Sequence, residues 1–511
     1  MIPVLDSYWK NLKSGTDIRG VAMENNFGEP VQLTDDAVRR MAGGFLCWVE
    51  KHLGAAAGAH IAVGRDSRLS GERIAGVLKD VFTAKGVTVH DCGLASTPSM
   101  FMAVLDIPCL AAVQITASHH PWHRNGLKFF TKNGGLDAPD VEEILAFAQE
   151  NSTPADMPGG CVIASDHMKT YAAHLRELIC RGVNADDYDH PLKGFKIAVD
   201  AGNGAGGFYA ADVLAPLGAD VSGSRYLEPD GRFPNHVPNP EDAAAMESIC
   251  AAVTESGSDL GVIFDTDVDR GGAVDSHGSE INRNRLVALA AAIALEDCPG
   301  GTIVTDSITS DGLKVFIEET LGGRHHRFKR GYKNVINEAV RLNEEGIDTP
   351  LAIETSGHAA LRENYFLDDG AYLCTKIIIK AAALRREVKT IDSLLADLQE
   401  PAEATELRMK ILEKDFRACG EKMIADLEAY AVSQGWHVVP NNFEGIRISF
   451  AEEGLKGWCL LRLSVHDPLL PLNIESDTPG GVEKIGKKLL AFLSACPCPG
   501  VDTSPLEIFR K

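Results

Sequence analysis

Two stretches carry residue types whose chemistry goes beyond packing. The first is Thr116-Ala117-Ser118-His119-His120-Pro121, behind the apolar run Leu110 to Ile115. A serine hydroxyl is a weak nucleophile and a poor phosphate carrier until a base, a metal ion or a set of donors activates it. Alone, a Ser-His pair reads as a cap or turn, because adjacency in sequence fixes no geometry. The second stretch is Gly261-Val262-Ile263-Phe264, opening into Asp265-Thr266-Asp267-Val268-Asp269-Arg270. Carboxylates at i, i+2 and i+4 on one tight loop repel each other unless a divalent cation neutralises them, and Mg²⁺, a hard ion that takes oxygen ligands, suits the set.

Other readings of the acidic loop stand beside this one. An EF-hand would need Gly at the sixth loop position and Glu at the twelfth, where the chain has Arg270 and Ser276. Asp265-Thr266-Asp267-Val268 also fits the nucleophile loop of a haloacid-dehalogenase-like phosphatase, and a solvated acidic loop is the third reading.

Further groups can support such chemistry. Ser14 to Gly20 reads as a small-residue loop with one cation, Arg19, and is an anion contact or a plain turn. Arg124-Asn125-Gly126-Leu127-Lys128 predicts an Asn-Gly turn and a short strand that swings Lys128 back toward the serine. Gly202 to Gly207 satisfies G-x-G-x-x-G after a strand, but the acid of a dinucleotide site is misplaced at Asp220. Glu354-Thr355-Ser356-Gly357-His358 ends the strand Leu351 to Ile353, where Glu354 is a sugar-hydroxyl ligand or an ordinary surface group. Lys329 to Lys333 is a basic turn, and Arg462-Leu463-Ser464-Val465-His466 is a phosphate clamp or a structural turn.

The elements that must position these groups alternate. Strands at His60 to Val63, Val87 to Cys92 and Leu110 to Ile115, separated by helical stretches, predict parallel strands with crossover helices. The pattern recurs around Lys196 to Val199, Leu260 to Phe264 and Gly301 to Thr305. Pro- and Gly-rich Asn151 to Gly160 reads as a linker. The end of the chain differs: Ile446, Ile448 and Phe450 alternate, a second strand follows Glu452 to Gly457, and a helix from Gly481 closes a small α+β domain. The chain divides at 1–160, 161–298, 299–402 and 403–511.

Composition sets the bounds. With 511 residues, 45% hydrophobic and 24% charged, the chain can bury several cores. A net charge of -22 argues against non-specific nucleic-acid binding, though a few cations in a cleft can still hold an anionic ligand. The longest apolar run is of core-helix length, so no membrane span is expected. The start of the chain, with Asp6, Lys10 and Lys13, lacks a secretory signal's apolar segment. A cytoplasmic protein with its twelve dispersed cysteines reduced is expected.

Taken in order, these segments resemble the α-D-phosphohexomutases, the family that holds phosphomannomutase/phosphoglucomutase and phosphoglucosamine mutase. The marks are Ser14 to Gly20, Thr116 to Pro121 with Asn125-Gly126-x-Lys128, Asp230 to Pro240, Asp265 to Arg270, Glu354 to His358 and the Arg462 loop. The resemblance implies three similar mixed α/β domains and a C-terminal α+β domain around a central cleft. It implies that Ser118 carries the phosphoryl group and that Asp265, Asp267 and Asp269, with Ser118, hold Mg²⁺. His119, Lys128, Arg19 and Arg270 would aid proton transfer and charge stabilisation. Glu354, Ser356 and His358 would meet the sugar, and Lys333, Arg462, Ser464 and His466 the distal phosphate. Hexose 1,6-bisphosphate, such as glucose 1,6-bisphosphate, would be the intermediate and activator, with phosphosugars as substrates and a monomer or homodimer as the working form. Glucose and mannose phosphates are the expected substrates, with phosphoglucosamine mutase, a phosphatase and a non-catalytic sugar-phosphate sensor as alternatives. Two departures stand out: Thr266 and Val268 occupy positions where glycine is common, which stiffens the metal loop, and Val465-His466 alters the last loop.

Overall fold

A computed structural model describes residues 4–464 and 467–510. The chain forms two compact units, Met1–Ile293 with Ser356–Ser393, and Ala294–Thr355 with Leu394–Lys511.

In the first unit an eight-stranded sheet runs β1 (Lys13–Ser14), β2 (Asp17–Val21), β3 (His60–Arg65), β4 (Thr88–Leu94), β5 (Ala111–Ile115), β6 (Arg124–Thr131), β7 (Gly134–Gly135) and β8 (Cys161–Ala164) in chain order. Across the sheet the order is β1-β2-β6-β5-β3-β4-β8, with β7 on β6. Strands β3, β4, β5 and β8 are mutually parallel, as the alternation of strands and helices predicts. The sheet runs on to Ala164, past the division expected at 160. Its mainly aliphatic core holds an aromatic cluster: Phe45, on the helix Asp35–His52, stacks on Phe129 with centroids 4.7 Å apart and packs against Phe82. Burying each such side chain is worth about 1.5–3 kcal/mol.

One local expectation holds in part and one fails. The turn read in Ser14 to Gly20 is confined to Gly15-Thr16, with Gly15 at φ +64°; Ser14 pairs with Asp17 across it, and Asp17–Val21 pairs antiparallel with β6. Asn125-Gly126 is not a turn but the interior of β6. A Cβ at Gly126 would lie 2.2 Å from the Ile18 carbonyl oxygen and 2.7 Å from that of Thr116, so this glycine is required by close backbone approach.

The second sheet, also in this unit, comprises β9 (Ile197–Asp200), β10 (Leu260–Phe264), β11 (Gly271–Asp275) and β12 (Glu280–Ile281) in the order β12-β11-β10-β9. It repeats one feature of the first. A buried strand, β5 or β10, parallel to a neighbour, is followed by an antiparallel partner, β6 or β11. The Ser118 and Asp265 loops are both these returns at a strand's carboxyl end.

In the second unit β13 (Thr302–Thr305) lies parallel to β14 (Arg324–Arg327) and β15 (Leu351–Ile353). The chain then enters the first unit as a hairpin-like pair, β16 (Ala359–Leu361) with β17 (Leu367–Asp368). The C-terminal sheet has β18 (Glu403–Ile411), β19 (His437–Val438), β20 (Ile446–Glu452), β21 (Leu455–Leu461), β22 (Leu469–Ser476) and β23 (Val501–Asp502), in the order β19-β20-β21-β22-β18-β23. Ile446, Ile448 and Phe450 face its core at 3%, 0% and 2% exposure, the alternation expected of β20. Arg447 points to the other face and is buried as well. Its guanidinium lies 3.6 Å from the Trp458 ring centroid and donates to Asp311 Oδ1 at 2.9 Å and the Ser307 carbonyl at 3.1 Å, tying residues 294–355 to 394–511. Among the described residues no helix is long and apolar enough to cross a membrane.

Candidate active site

Strand β5 is buried throughout and delivers Ser118 at 1% exposure with φ +50°. Its hydroxyl donates to Asp265 Oδ2 at 3.0 Å and lies 3.3 Å from His119 Nδ1. Asp265, Asp267 and Asp269 are 0% exposed, and one ligand oxygen from each lies within 4.8 Å of the others. The turn that holds them bends through Val268 at φ +68°. A β-branched residue strains in that region. The valine, expected to stiffen the loop, is fully buried, and its carbonyl accepts from Gly370 N–H at 3.1 Å.

The charges around this turn are arranged unequally. Lys128 Nζ, carried by β6, donates to Asp269 Oδ2 at 2.6 Å and lies 3.8 Å from Asp267 Oδ2 and 3.9 Å from Asp17 Oδ2. Burial by itself would raise Asp269, but Lys128, His358 and Arg270 outweigh it and hold its carboxyl well below the usual range. Asp265 goes the other way: burial first, then the Asp269 and Asp267 charges, push it well above the usual carboxylate range. Thr97 Oγ1 donates to Asp267 Oδ2 at 2.5 Å, and Thr97 N–H to the Asp267 carbonyl at 2.8 Å.

The metal fit can be tested on the oxygens left over. Asp267 Oδ1 and Asp269 Oδ1 are buried and accept no hydrogen bond. Orphaned buried carboxylate oxygens are costly, and a hard cation is the ligand such an oxygen-only set fits.

Arg270 binds the two histidines. Its Nη2 donates to His119 Nδ1 at 3.0 Å and its Nε to His358 Nε2 at 2.9 Å. The guanidinium charge, with burial, holds His119 far below its ordinary range, so the ring is neutral and its Nδ1 lone pair is occupied. Both His358 ring nitrogens are engaged, the second with Asp368 Oδ2 at 2.6 Å. Arg19 Nη2 pairs with Asp17 Oδ2 at 2.8 Å, both residues on β2. Sequence reasoning assigned no role to Thr97, Asp17 or Asp368. Of these, Asp17 lies within the marked stretch Ser14 to Gly20, and Asp368 opens an Asp368-Asp369-Gly370 run before a long helix.

Glu354, Lys333, Arg462 and Ser464 lie in the second unit. Glu354 is 3% exposed and its Oε1 accepts from Gly331 N–H at 2.6 Å, so it is not a surface group. Lys333 lies in the first turn of the helix Tyr332–Glu344. Arg462 is 8% exposed at the end of β21, and Ser464 N–H bonds the Leu469 carbonyl. His466 lies outside the described residues. Ser356 is buried at 4% exposure in the first unit.

The glycine-rich run belongs to the acidic loop rather than to a nucleotide. A Cβ at Gly204 would sit 2.6 Å from the Thr266 carbonyl oxygen and one at Gly207 2.1 Å from that of Leu227, while Ala205 N–H donates to the Thr266 carbonyl. The protein's own backbone fills the space a pyrophosphate would need.

Comparison with known proteins places this geometry. Residues 10–155, 169–278 and 282–401 match the alpha/beta/alpha domains I, II and III of the phosphoglucomutase/phosphomannomutase family. The chain belongs to the α-D-phosphohexomutase superfamily. It is 29% identical over 493 residues to the phosphoglucomutase of Neisseria gonorrhoeae, covering 96% of this chain and 98% of that protein. It is 28% identical over 463 residues to the phosphomannomutase/phosphoglucomutase of Pseudomonas aeruginosa strain PAO1, covering 88% and 93%. The solved structure of a phosphoglucomutase/phosphomannomutase family protein from Burkholderia thailandensis superposes with a TM-score of 0.78 at 26% identity, over 96% of this chain and 99% of that one. As a phosphohexomutase, the chain has three α/β/α domains followed by the C-terminal sheet.

Proposed function

We propose that this phosphohexomutase reversibly interconverts the 1-phosphate and 6-phosphate of mannose, glucose or both, with Ser118 as the phosphoryl carrier. The observation that carries the reading is the buried Ser118 hydroxyl 3.0 Å from Asp265 Oδ2, beside two further carboxylates and Lys128. Phosphoryl transfer asks mainly for positioning and charge neutralisation. Mg²⁺, held by Asp265, Asp267, Asp269 and the Ser118 oxygen, would neutralise phosphoryl oxygens when bound.

The chain's own groups do the rest. Lys128, Arg19 and Arg270 supply fixed positive charge around the carrier. Burial of Ser118 keeps water from the phosphoserine. His119, neutral and accepting from Arg270, orients that guanidinium, and proton uptake from the sugar hydroxyl falls to other groups while this contact persists. Glu354 and Ser356 would accept and donate to sugar hydroxyls. Lys333, Arg462, Ser464 and His466 would hold the distal phosphate. The free hydroxyl of the hexose phosphate takes the phosphoryl group from phospho-Ser118, giving a hexose 1,6-bisphosphate and the Ser118 hydroxyl; the bisphosphate turns, and its other phosphoryl group returns to the serine. We read the protein as cytoplasmic, where such substrates are found.

A coupled assay on glucose 1-phosphate with Mg²⁺ and a trace of glucose 1,6-bisphosphate tests this. Glucose 6-phosphate should form with the wild type and not with Ser118→Ala. Equal rates in the two would remove Ser118 as the carrier, and inorganic phosphate in place of glucose 6-phosphate would point to a phosphatase. An inactive wild type on glucose, mannose and glucosamine phosphates would end the mutase reading.

A further inference from the structure

Ser118 sits where an L-residue resists sitting. Its φ of +50° is in the left-handed region, and the direction of Oγ toward Asp265 follows from that backbone. Three side chains with no part in the proposed chemistry hold the peptide groups on both sides of it. The Ser118 N–H donates to Thr116 Oγ1 at 2.9 Å, and the Thr116 hydroxyl donates to Asp66 Oδ2 at 2.7 Å. The Ser118 carbonyl accepts from Arg68 Nη2 at 2.5 Å.

Arg68 does more than close one bond. Its Nη2 also donates to the His120 carbonyl at 2.6 Å, its Nη1 to the carbonyls of Pro121 at 2.8 Å and Arg124 at 2.9 Å, and its Nε to Asp66 Oδ2 at 3.1 Å. All five guanidinium N–H groups are used, and four carbonyls of one seven-residue segment converge on one side chain. That side chain is 0% exposed, and the Phe233 ring packs 5.2 Å from its centre.

Burying a guanidinium completely is expensive, and a loop that needed only closing could be closed by apolar contacts. A planar fork that saturates four carbonyls fixes the peptide planes themselves, which a lysine with three rotatable donors cannot do. We propose that Arg68, braced by Asp66 and Thr116, is a positioning residue that locks the nucleophile in its left-handed conformation. The inference rests on the proposed role of Ser118. It concerns how that serine is aimed rather than what touches the substrate.

Arg68→Lys and the nearly isosteric Thr116→Val test it, with three readouts: kcat and KM on glucose 1-phosphate, the rate of Ser118 phosphorylation by glucose 1,6-bisphosphate followed by intact mass, and the Ser118 backbone in a crystal structure of each variant. Expected are a kcat at least 100-fold lower in Arg68→Lys and about 10-fold lower in Thr116→Val, with KM within threefold. The phosphorylation rate should fall by the same factor as kcat, and the Ser118 φ should turn negative. A folded Arg68→Lys with kcat and phosphorylation within threefold of the wild type overturns the proposal. So does an unchanged Ser118 φ. If Arg68→Lys does not fold, Thr116→Val decides by the same criteria. If the wild type turns over no hexose phosphate, the functional reading fails on its own, and the Ser118 φ in the variants still decides the positioning claim.

Discussion

Lys128→Met removes one charge and little volume from the centre of the site. In the wild type, Nζ faces carboxylate oxygens at 2.6, 3.8 and 3.9 Å, all nearly inaccessible to solvent. At an effective dielectric constant of about 20, those distances correspond to gross attractions of about 6, 4 and 4 kcal/mol. Most of that offsets the desolvation of the ions, so the useful figure is the cost of leaving buried carboxylates uncompensated, about 3–5 kcal/mol. Losing one oriented charge at a phosphoryl-transfer site should also lower kcat by about 10²–10³. Hydrogen exchange of peptides covering residues 111–131 and 260–275 reads the local loss, and the coupled mutase assay reads the rate. Mg²⁺ should protect the variant more than the wild type, because a cation can take over part of the lost compensation. A variant whose two peptides open within about 1 kcal/mol of the wild type, and whose kcat stays within tenfold, would refute the electrostatic account of this turn.

Four further outcomes follow from the same structure. Mg²⁺ at a hundred times its Kd should stabilise the protein by about 2.7 kcal/mol. It should also release a proton, because Asp265 is held above its ordinary range by burial and its neighbours; calorimetry in two buffers of different ionisation enthalpy measures this, and no buffer dependence would contradict it. Gly126→Ala should destabilise by about 3 kcal/mol, the upper end for overpacking, since backbone lies on both sides of the new methyl; urea denaturation checks it. Burial raises Glu475 from 4.5 to about 7 against the Trp458 and Arg447 contacts. A carboxyl that holds its proton more tightly when folded loses stability as pH rises between those values, so Glu475→Gln should gain on the order of 3 kcal/mol over the wild type between pH 4 and pH 8. Equal pH profiles in thermal melts would exclude it.

Residues close in sequence, whose geometry a single element enforces, were legible without coordinates. Asp265, Asp267 and Asp269 share one turn after one apolar strand, so their mutual repulsion follows from spacing alone. The alternation of Ile446, Ile448 and Phe450 likewise declares one buried face of β20. Local signals misled where a distant strand overrode them. Asn125-Gly126 carries the strongest short hairpin signal, yet pairing with β2 makes it strand interior, and Asp17 to Gly20 is not read as a strand because its partner β6 lies more than a hundred residues away. The network around Ser118 belongs to the same class. Asp66 and Arg68 come from the loop after β3, Thr97 from the start of a helix, Asp17 from β2 and Asp368 from β17, and no spacing in the chain relates them to residue 118 or 267. Sequence therefore determined the family marks and which reactive residues share a loop, because those residues sit together along the chain. Tertiary structure alone decided how they are charged and aimed, because burial and long-range hydrogen bonds exist only once the sheets have formed.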